Sequence, residues 1–372
     1  MRYLLLCLPL FFLAAGCDPD EGPEEPQPSG IDLTDIDYSP TPYNLEVPSN
    51  FPPPPADKVA AMTEAGVDLG RHLFYDIRLS SDGSMSCASC HLPSLAFTDG
   101  TALSTGVQGN TGRRSAMSLQ NLIYENNGVQ WDGGEPTLAA QALLPVMDPV
   151  ELFDDWDNVE SKLRAEELYQ EKFRQAFGIE NSEEIDRTLA TQAIEQFLHS
   201  IVSSGQSVFD LRTIGGNGVF FSDEEAAGFE LFFSGENNAA IKDAQCFHCH
   251  SGATFTVHDY FNNGLDEAPT LTEFLDNGRG DVTGEIADNG KFRAPTLRNI
   301  ALTAPYMHDG RFQTLREVVE HYNSGVHYAP NLDPNLQQPL GLTDDEIQHL
   351  VDFMHTLTDT VMLADPRYSN PW

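Results

Sequence analysis

Cys87-Ala88-Ser89-Cys90-His91 and Cys246-Phe247-His248-Cys249-His250 decide how the rest of the chain is read. In each, two thiols stand three positions apart and an imidazole follows at once. This is the pattern of c-type haem attachment: the thiols bond covalently to the haem vinyl groups and the His ligates iron from one side. With 6 Cys and 11 His in 372 residues, chance supplies about 0.003 such strings. A tetrahedral zinc site could use the same four thiolates, but it gives no reason for a His to follow both pairs.

Working outward, the sequence around the first motif recurs around the second. Phe74 and Phe233 each lie 13 residues before the first Cys of a motif. Val59, Met62, Ala65, Val67, Leu69, Leu73 and Phe74 give a helix with one apolar face, ending before the turn Ser80-Ser81-Asp82-Gly83. Ser222-Asp223-Glu224-Glu225 is a capping box opening the matching helix through Phe233. Beyond the motifs, Ser118-Leu119-Gln120-Asn121 matches Thr296-Leu297-Arg298-Asn299, Trp131-Asp132-Gly133 matches His308-Asp309-Gly310, and Thr137-Leu138 matches Thr314-Leu315. Each copy closes with an amphipathic helix, through Ile185, Leu189, Ile194, Phe197 and Ile201, or after Thr343 through Ile347, Leu350, Val351, Met354 and Leu357. Strand signals are scarce, and residues 257–290 are rich in Gly, Asp and Asn. The expected fold is mainly α: two tandem cytochrome c-type haem domains, 57–208 and 209–362, with long loops, little strand, a junction near 204–218 and a tail over 363–372.

The ends set location and partners. Arg2 followed by Leu4 to Leu13 reads as a secretory signal, too short to span a bilayer. Leu13-Ala14-Ala15-Gly16-Cys17 resembles the bacterial lipobox, so 1–16 would be removed and Cys17 acylated, holding the exported protein to a membrane surface on the periplasmic or outer side. Cys7 leaves with the leader and the other four Cys carry haem, so no structural disulfide is expected. Residues 17–56 are Pro- and acid-rich, with no Lys or Arg, and read as a disordered tether. The formal charge of −37 argues against nucleic acid as a partner and favours a basic protein partner or plain solubility.

Over 57–362 the chain resembles the bacterial di-haem cytochrome c peroxidases and the methylamine-utilisation protein MauG. The resemblance rests on Leu69-Gly70-Arg71-His72-Leu73-Phe74-Tyr75-Asp76, Arg78-Leu79-Ser80, both attachment motifs, Phe97-Thr98-Asp99-Gly100, Trp131-Asp132-Gly133, Asp148-Pro149-Val150-Glu151 and Ala294-Pro295-Thr296-Leu297-Arg298-Asn299. It implies a peroxide site at the haem of His91 and an electron-transfer haem at His250. Glu151 takes the place of the catalytic carboxylate, Gln141 that of the distal amide and Trp131 that of the relay between haems. A calcium ion is implied at the carbonyls of Thr303 and Pro305, with Ser115 in place of the usual Asn.

Two departures sharpen this. Relatives that need reductive activation carry a haem-blocking His after Phe97-Thr98-Asp99-Gly100; here the aligned residue is Val107, beside Gln108, and neither ligates haem. The second haem takes Tyr322 where the peroxidases place Met and MauG places Tyr. The repeat reaches that position independently: Tyr322 lies eight residues past Thr314, as Pro145 lies eight past Thr137. The expectation is an open, peroxide-reducing haem at His91 and one closed by Tyr322. Electrons would come from a small cytochrome c or another redox protein; alternatively, the oxidising equivalents act on a protein side chain, as in MauG. A non-catalytic electron-transfer cytochrome is the contrasting reading.

Overall fold

In the computed structural model, residues 30–215, 217–233 and 242–372 are described; the expected leader over 1–16 and Cys17 lie outside them. The first half carries α1 (Ala56–Ala60), α2 (Glu64–Tyr75), α3 (Leu138–Met147), α4 (Trp156–Arg164), α5 (Glu167–Phe177) and α6 (Arg187–Ser200), and α7 (Val208–Ile214) leads out of it. The second carries α8 (Asp223–Phe233), α9 (Arg279–Thr283), α10 (Leu315–Glu320), α11 (Asp344–His355) and α12 (Thr360–Leu363). The only sheet among the described residues pairs β1 (Tyr260–Phe261) antiparallel with β2 (Phe292–Arg293). The chain is therefore mainly α, as the sequence implies.

The periodic faces become two hydrophobic clusters. One gathers Leu69, Leu73, Phe74, Ile194 and Phe197 from α2 and α6. The other gathers Leu231, Phe232, Leu350, Phe353 and Met354 from α8 and α11. In both, a helix pair is brought together over a glycine. A Cβ on Gly70 would lie 1.9 Å from the Ala193 carbonyl oxygen, and one on Gly228 would lie 1.9 Å from that of His349. The next obstacles are Phe197 and Phe353, which occupy matching places in the repeat.

Local chemistry sets the helix ends. Thr63 accepts a hydrogen bond from the Gly66 amide and starts α2, so the expected continuous helix from Val59 is instead two, α1 and α2. The capping box at Ser222 forms: the Ser222 amide donates to Glu225 and the Glu225 amide donates to Ser222 Oγ. Thr343 and Glu346 form another before α11. Thr137 and Thr314 cap α3 and α10, which gives the eight-residue offsets to Pro145 and Tyr322 a common structural origin.

Two expectations are corrected. Residues 30–56 are not a free tether. Leu33 is buried and its amide bonds the Glu180 carbonyl; Tyr43 pairs with Met62; Phe51 is buried beneath the Arg298 guanidinium. Asn50 donates to Asp210, which also takes a hydrogen bond from Arg298 at 2.6 Å, with both charged side chains fully buried. A few apolar anchors on an existing surface suffice where the segment could build no core of its own. The tail is not separate either. Met362 and Tyr368 enter the first cluster, the Tyr368 hydroxyl donates to Ser200, and Tyr75 donates to the Tyr368 carbonyl at 2.5 Å. Met362 and Tyr368 thus pack on the first half.

The glycine contacts generate a prediction. Gly70→Val and Gly228→Val should each lower stability by about 1–3 kcal/mol, because the helices must separate to admit the side chain. Denaturant unfolding checks this against Gly112→Ala, where the added carbon meets only one atom at 3.8 Å. Losses no larger than that control's would refute the close-packing account.

Candidate active site

Each attachment motif begins as one tight 3-10 turn, Cys87–Ser89 or Cys246–His248. The His91 and His250 amides then both close onto the carbonyl of the first Cys, at 3.1 and 3.0 Å. The turn puts both thiols and the imidazole on one short arc. His91 Nδ1 donates to the Phe97 carbonyl at 2.8 Å; His250 Nδ1 is shared between those of Phe255 (3.3 Å) and Pro295 (3.1 Å). With Nδ1 engaged, Nε2 is the nitrogen left to face iron, and the ring orientation is fixed. Phe97 and Phe255 adopt φ of 64° and 53°, a left-handed backbone that aims each carbonyl at its His. Burial holds both imidazoles below their usual range, His250 at about 4, so each is the neutral form that ligates metal.

Cys87, Cys90, Cys246 and Cys249 form no disulfide. Burial pushes Cys87, Cys246 and Cys249 up to about 12 and raises Cys90. Nor do they converge: no group of three or more His, Cys, Asp or Glu among the described residues is placed to hold a metal ion. The zinc alternative therefore finds no site, whereas two separate thiol pairs, each with an anchored neutral His, fit two covalently held haems.

The surroundings of the two motifs differ. Glu151 lies beyond the C-terminal end of α3, close enough for its charge to raise Cys87 and Cys90. Its residue is exposed at the edge, yet the surrounding protein pushes the carboxyl up to about 7, desolvation first and the Asp148 charge second. The carboxylate makes no hydrogen bond to any described residue. The loop carrying Val107 is tied down: the Val107 amide donates to the Glu151 carbonyl at 2.9 Å, and a Cβ on Gly106 would strike the Val150 and Glu151 carbonyls. Gln141 sits in α3 and accepts a hydrogen bond from Gln130 Nε2.

Tyr322 instead stands near the second pair, where Cys249 and Cys246 are among the charges that bear on its phenol; burial pushes that phenol up to about 12. It sits where α10 widens into a π-helical turn, His321–Gly325. Such turns re-aim single side chains and are frequent at functional sites. The hydroxyl accepts only a long hydrogen bond from Asn263, at 3.4 Å, and the same amide reaches Met307 Sδ at 3.5 Å. His321 is turned away, with Nε2 on the Asn263 carbonyl at 3.1 Å.

Trp131 lies where the halves meet. Its indole donates to the Ser115 carbonyl at 2.9 Å, and its own carbonyl accepts from the Arg293 amide at 2.8 Å. Ser115 is tied across the junction as well, its amide to the His308 carbonyl (2.7 Å) and its hydroxyl to that of Met307 (2.9 Å). Arg114 bridges Asp132 and Asp276 beside it. The carbonyls of Thr303 and Pro305 accept no hydrogen bond from a described residue.

Sequence reasoning missed Gln130, Asn263 and Arg293, which hold Gln141, Tyr322 and the Trp131 segment. Their spacing carries no signal, since each acts through a contact made only in the folded chain.

Fold and site define a c-type cytochrome with two attachment sites of unequal surroundings. Residues 64–217 match the family model described as di-haem cytochrome c peroxidase. The chain is 34% identical over 344 residues to the cytochrome-c peroxidase IdrP1 of Denitromonas iodatirespirans, covering 85% of this chain and 88% of that one. It is 34% identical over 305 residues to the methylamine utilization protein MauG of Methylorubrum extorquens, covering 82% and 81%. A solved MauG-like protein associated with microbial copper homeostasis matches with TM-score 0.75 at 35% identity, covering 89% of this chain and 99% of that one. The chain belongs to the di-haem cytochrome c peroxidase family, and is an oxidoreductase acting on peroxide with two haem c groups.

Proposed function

We propose that peroxide is reduced at the haem held by Cys87, Cys90 and His91, and that the haem held by Cys246, Cys249 and His250 is closed by Tyr322 and handles electrons. One observation carries this: a carboxyl with pKa raised to about 7 stands at the first thiol pair, and a half-buried tyrosine stands at the second. The haems supply the iron chemistry of peroxide reduction. The chain supplies the rest. Glu151 takes a proton from one peroxide oxygen and returns it to the leaving oxygen, a role that suits a carboxyl whose pKa lies near working pH. Gln141 hydrogen-bonds the substrate. Trp131 sits at the junction as a relay. In this reading 57–208 and 209–362 are tandem haem domains. Calcium, held by Thr303, Pro305 and Ser115, pins their junction.

Export, with Cys17 lipidated, places the enzyme on the periplasmic or outer-surface side of a membrane. Among the described residues no helix is long and apolar enough to cross one. The donor is a small cytochrome c or another redox protein. Tyr322 favours a second reading, MauG-like oxidation of a protein side chain, because a phenolate is a harder donor than a thioether and stabilises higher oxidation states.

Glu151 must start unprotonated to accept a proton, so kcat/KM for peroxide should rise with pH through about 7. Glu151→Gln should lower it by about 10²–10⁴-fold and flatten that limb, with the absorption spectrum of both haems kept. A Gln variant with the wild-type rate and pH profile would remove Glu151 from the mechanism. Stopped-flow mixing with reduced cytochrome c separates the two donors. Steady turnover supports the small-cytochrome reading; a rate no better than the uncatalysed one leaves oxidation of a protein side chain.

A further inference from the structure

Gln130 belongs to neither the attachment motifs nor the proposed proton path, yet it joins Gln141 to the Trp131 segment. Its side chain reaches α3, where Nε2 donates to Gln141 Oε1. Its peptide is followed directly by Trp131. Gln130 itself adopts φ of 73°, a left-handed backbone that a non-glycine residue holds only when its surroundings impose it. The constraint comes from the other half of the chain. Arg293 Nε donates to the Gln130 carbonyl at 3.1 Å, and the Arg293 amide donates to that of Trp131 at 2.8 Å. The same guanidinium bonds the Asn127 and Gly128 carbonyls, the Glu125 carboxylate and, at 2.6 Å, the Tyr260 hydroxyl. Its side chain is 3 % exposed, so these bonds act in a low-dielectric setting and none is easily exchanged for water. Gly134 lets the Gln130 amide fold back, since a Cβ there would lie 2.8 Å from Gln130 Oε1.

A primary amide has one accepting and one donating end. Gln130 occupies the accepting end of Gln141. Gln141 Nε2 bonds no described residue and is the end free to donate. We infer that Gln130, clamped by Arg293 from the second half, is a positioning residue for the peroxide step: it turns the Gln141 amide so that its N–H groups, not its oxygen, serve the substrate. This rests on the reading that Gln141 faces the peroxide pocket. It also means that the segment holding Trp131 and the residue orienting Gln141 are both held by Arg293 of the second half.

The test uses the ferric di-haem protein and fluoride, an anionic probe that binds the open haem and responds to a nearby donor without any electron donor present. Four proteins are compared: wild type, Gln130→Leu, Gln141→Leu and the double variant. Gln141→Leu should weaken fluoride about tenfold or more, the scale of a hydrogen bond to a charged group. Gln130→Leu should weaken it several-fold, and the double variant should be no weaker than Gln141→Leu alone, because Gln130 acts only through Gln141. Unchanged second-haem absorption reports an intact fold. Should Gln130→Leu not fold, Gln130→Glu keeps the size; its carboxylate draws the N–H end of Gln141 toward itself and should cost as much fluoride affinity as Gln141→Leu. If Gln141→Leu matters but residue 130 variants bind fluoride like wild type, or the double variant loses the product of the two single effects, the positioning role is wrong. If Gln141→Leu itself changes nothing, the pocket reading of Gln141 falls first, and this inference with it.

Discussion

In each half of the chain one imidazole nitrogen is committed to a backbone carbonyl. His91 Nδ1 on Phe97, and His250 Nδ1 on Phe255 and Pro295, leave Nε2 of each ring as the nitrogen that would ligate iron. Both phenylalanines hold a positive φ to present that carbonyl, a conformation that costs about 1–3 kcal/mol each and needs firm surroundings. Those surroundings are the two cores: Phe97 and Phe255 are themselves almost wholly buried, Phe97 against Phe74 and Phe255 against Phe232 and Phe353. The close-packed helix pairs over Gly70 and Gly228 can thus be seen as the support for two ring orientations.

From equal supports the halves diverge through a few side chains. At the position eight residues past a capping Thr, α3 carries Pro145 and the π-helical turn after α10 carries Tyr322. At the first motif the Glu151 carboxylate bonds no described residue, and desolvation raises its pKa to about 7. Nothing in the backbone repeat requires this difference. It is a matter of which side chain stands at a common address, and it turns two similar attachment sites into unlike ones.

Much of this was legible in the sequence because it depends on local spacing. The motifs, the paired amphipathic helices, the capping boxes and the offset to Tyr322 are all periodic or repeated signals. What was not legible depends on long-range contact. Residues 30–56 look disordered by composition, but Leu33, Tyr43 and Phe51 find a surface built by later residues. Tyr368 returns from the far end of the chain to pack on Phe97. Arg293 and Gln130 lie 163 residues apart, and no pattern in either neighbourhood announces the other. The roles proposed for Glu151, Gln141 and Trp131 rest on family resemblance; the fold adds what surrounds each of them.

The proposed function requires two unequal haems. The ferric EPR spectrum of the wild-type protein, recorded beside Tyr322→Phe, addresses it directly. Wild type should show one high-spin haem, open at the Glu151 side, and one low-spin haem; the variant should lose or shift the low-spin signal and keep the high-spin one. Two low-spin haems in wild type, or a low-spin signal untouched by Tyr322→Phe, would contradict it.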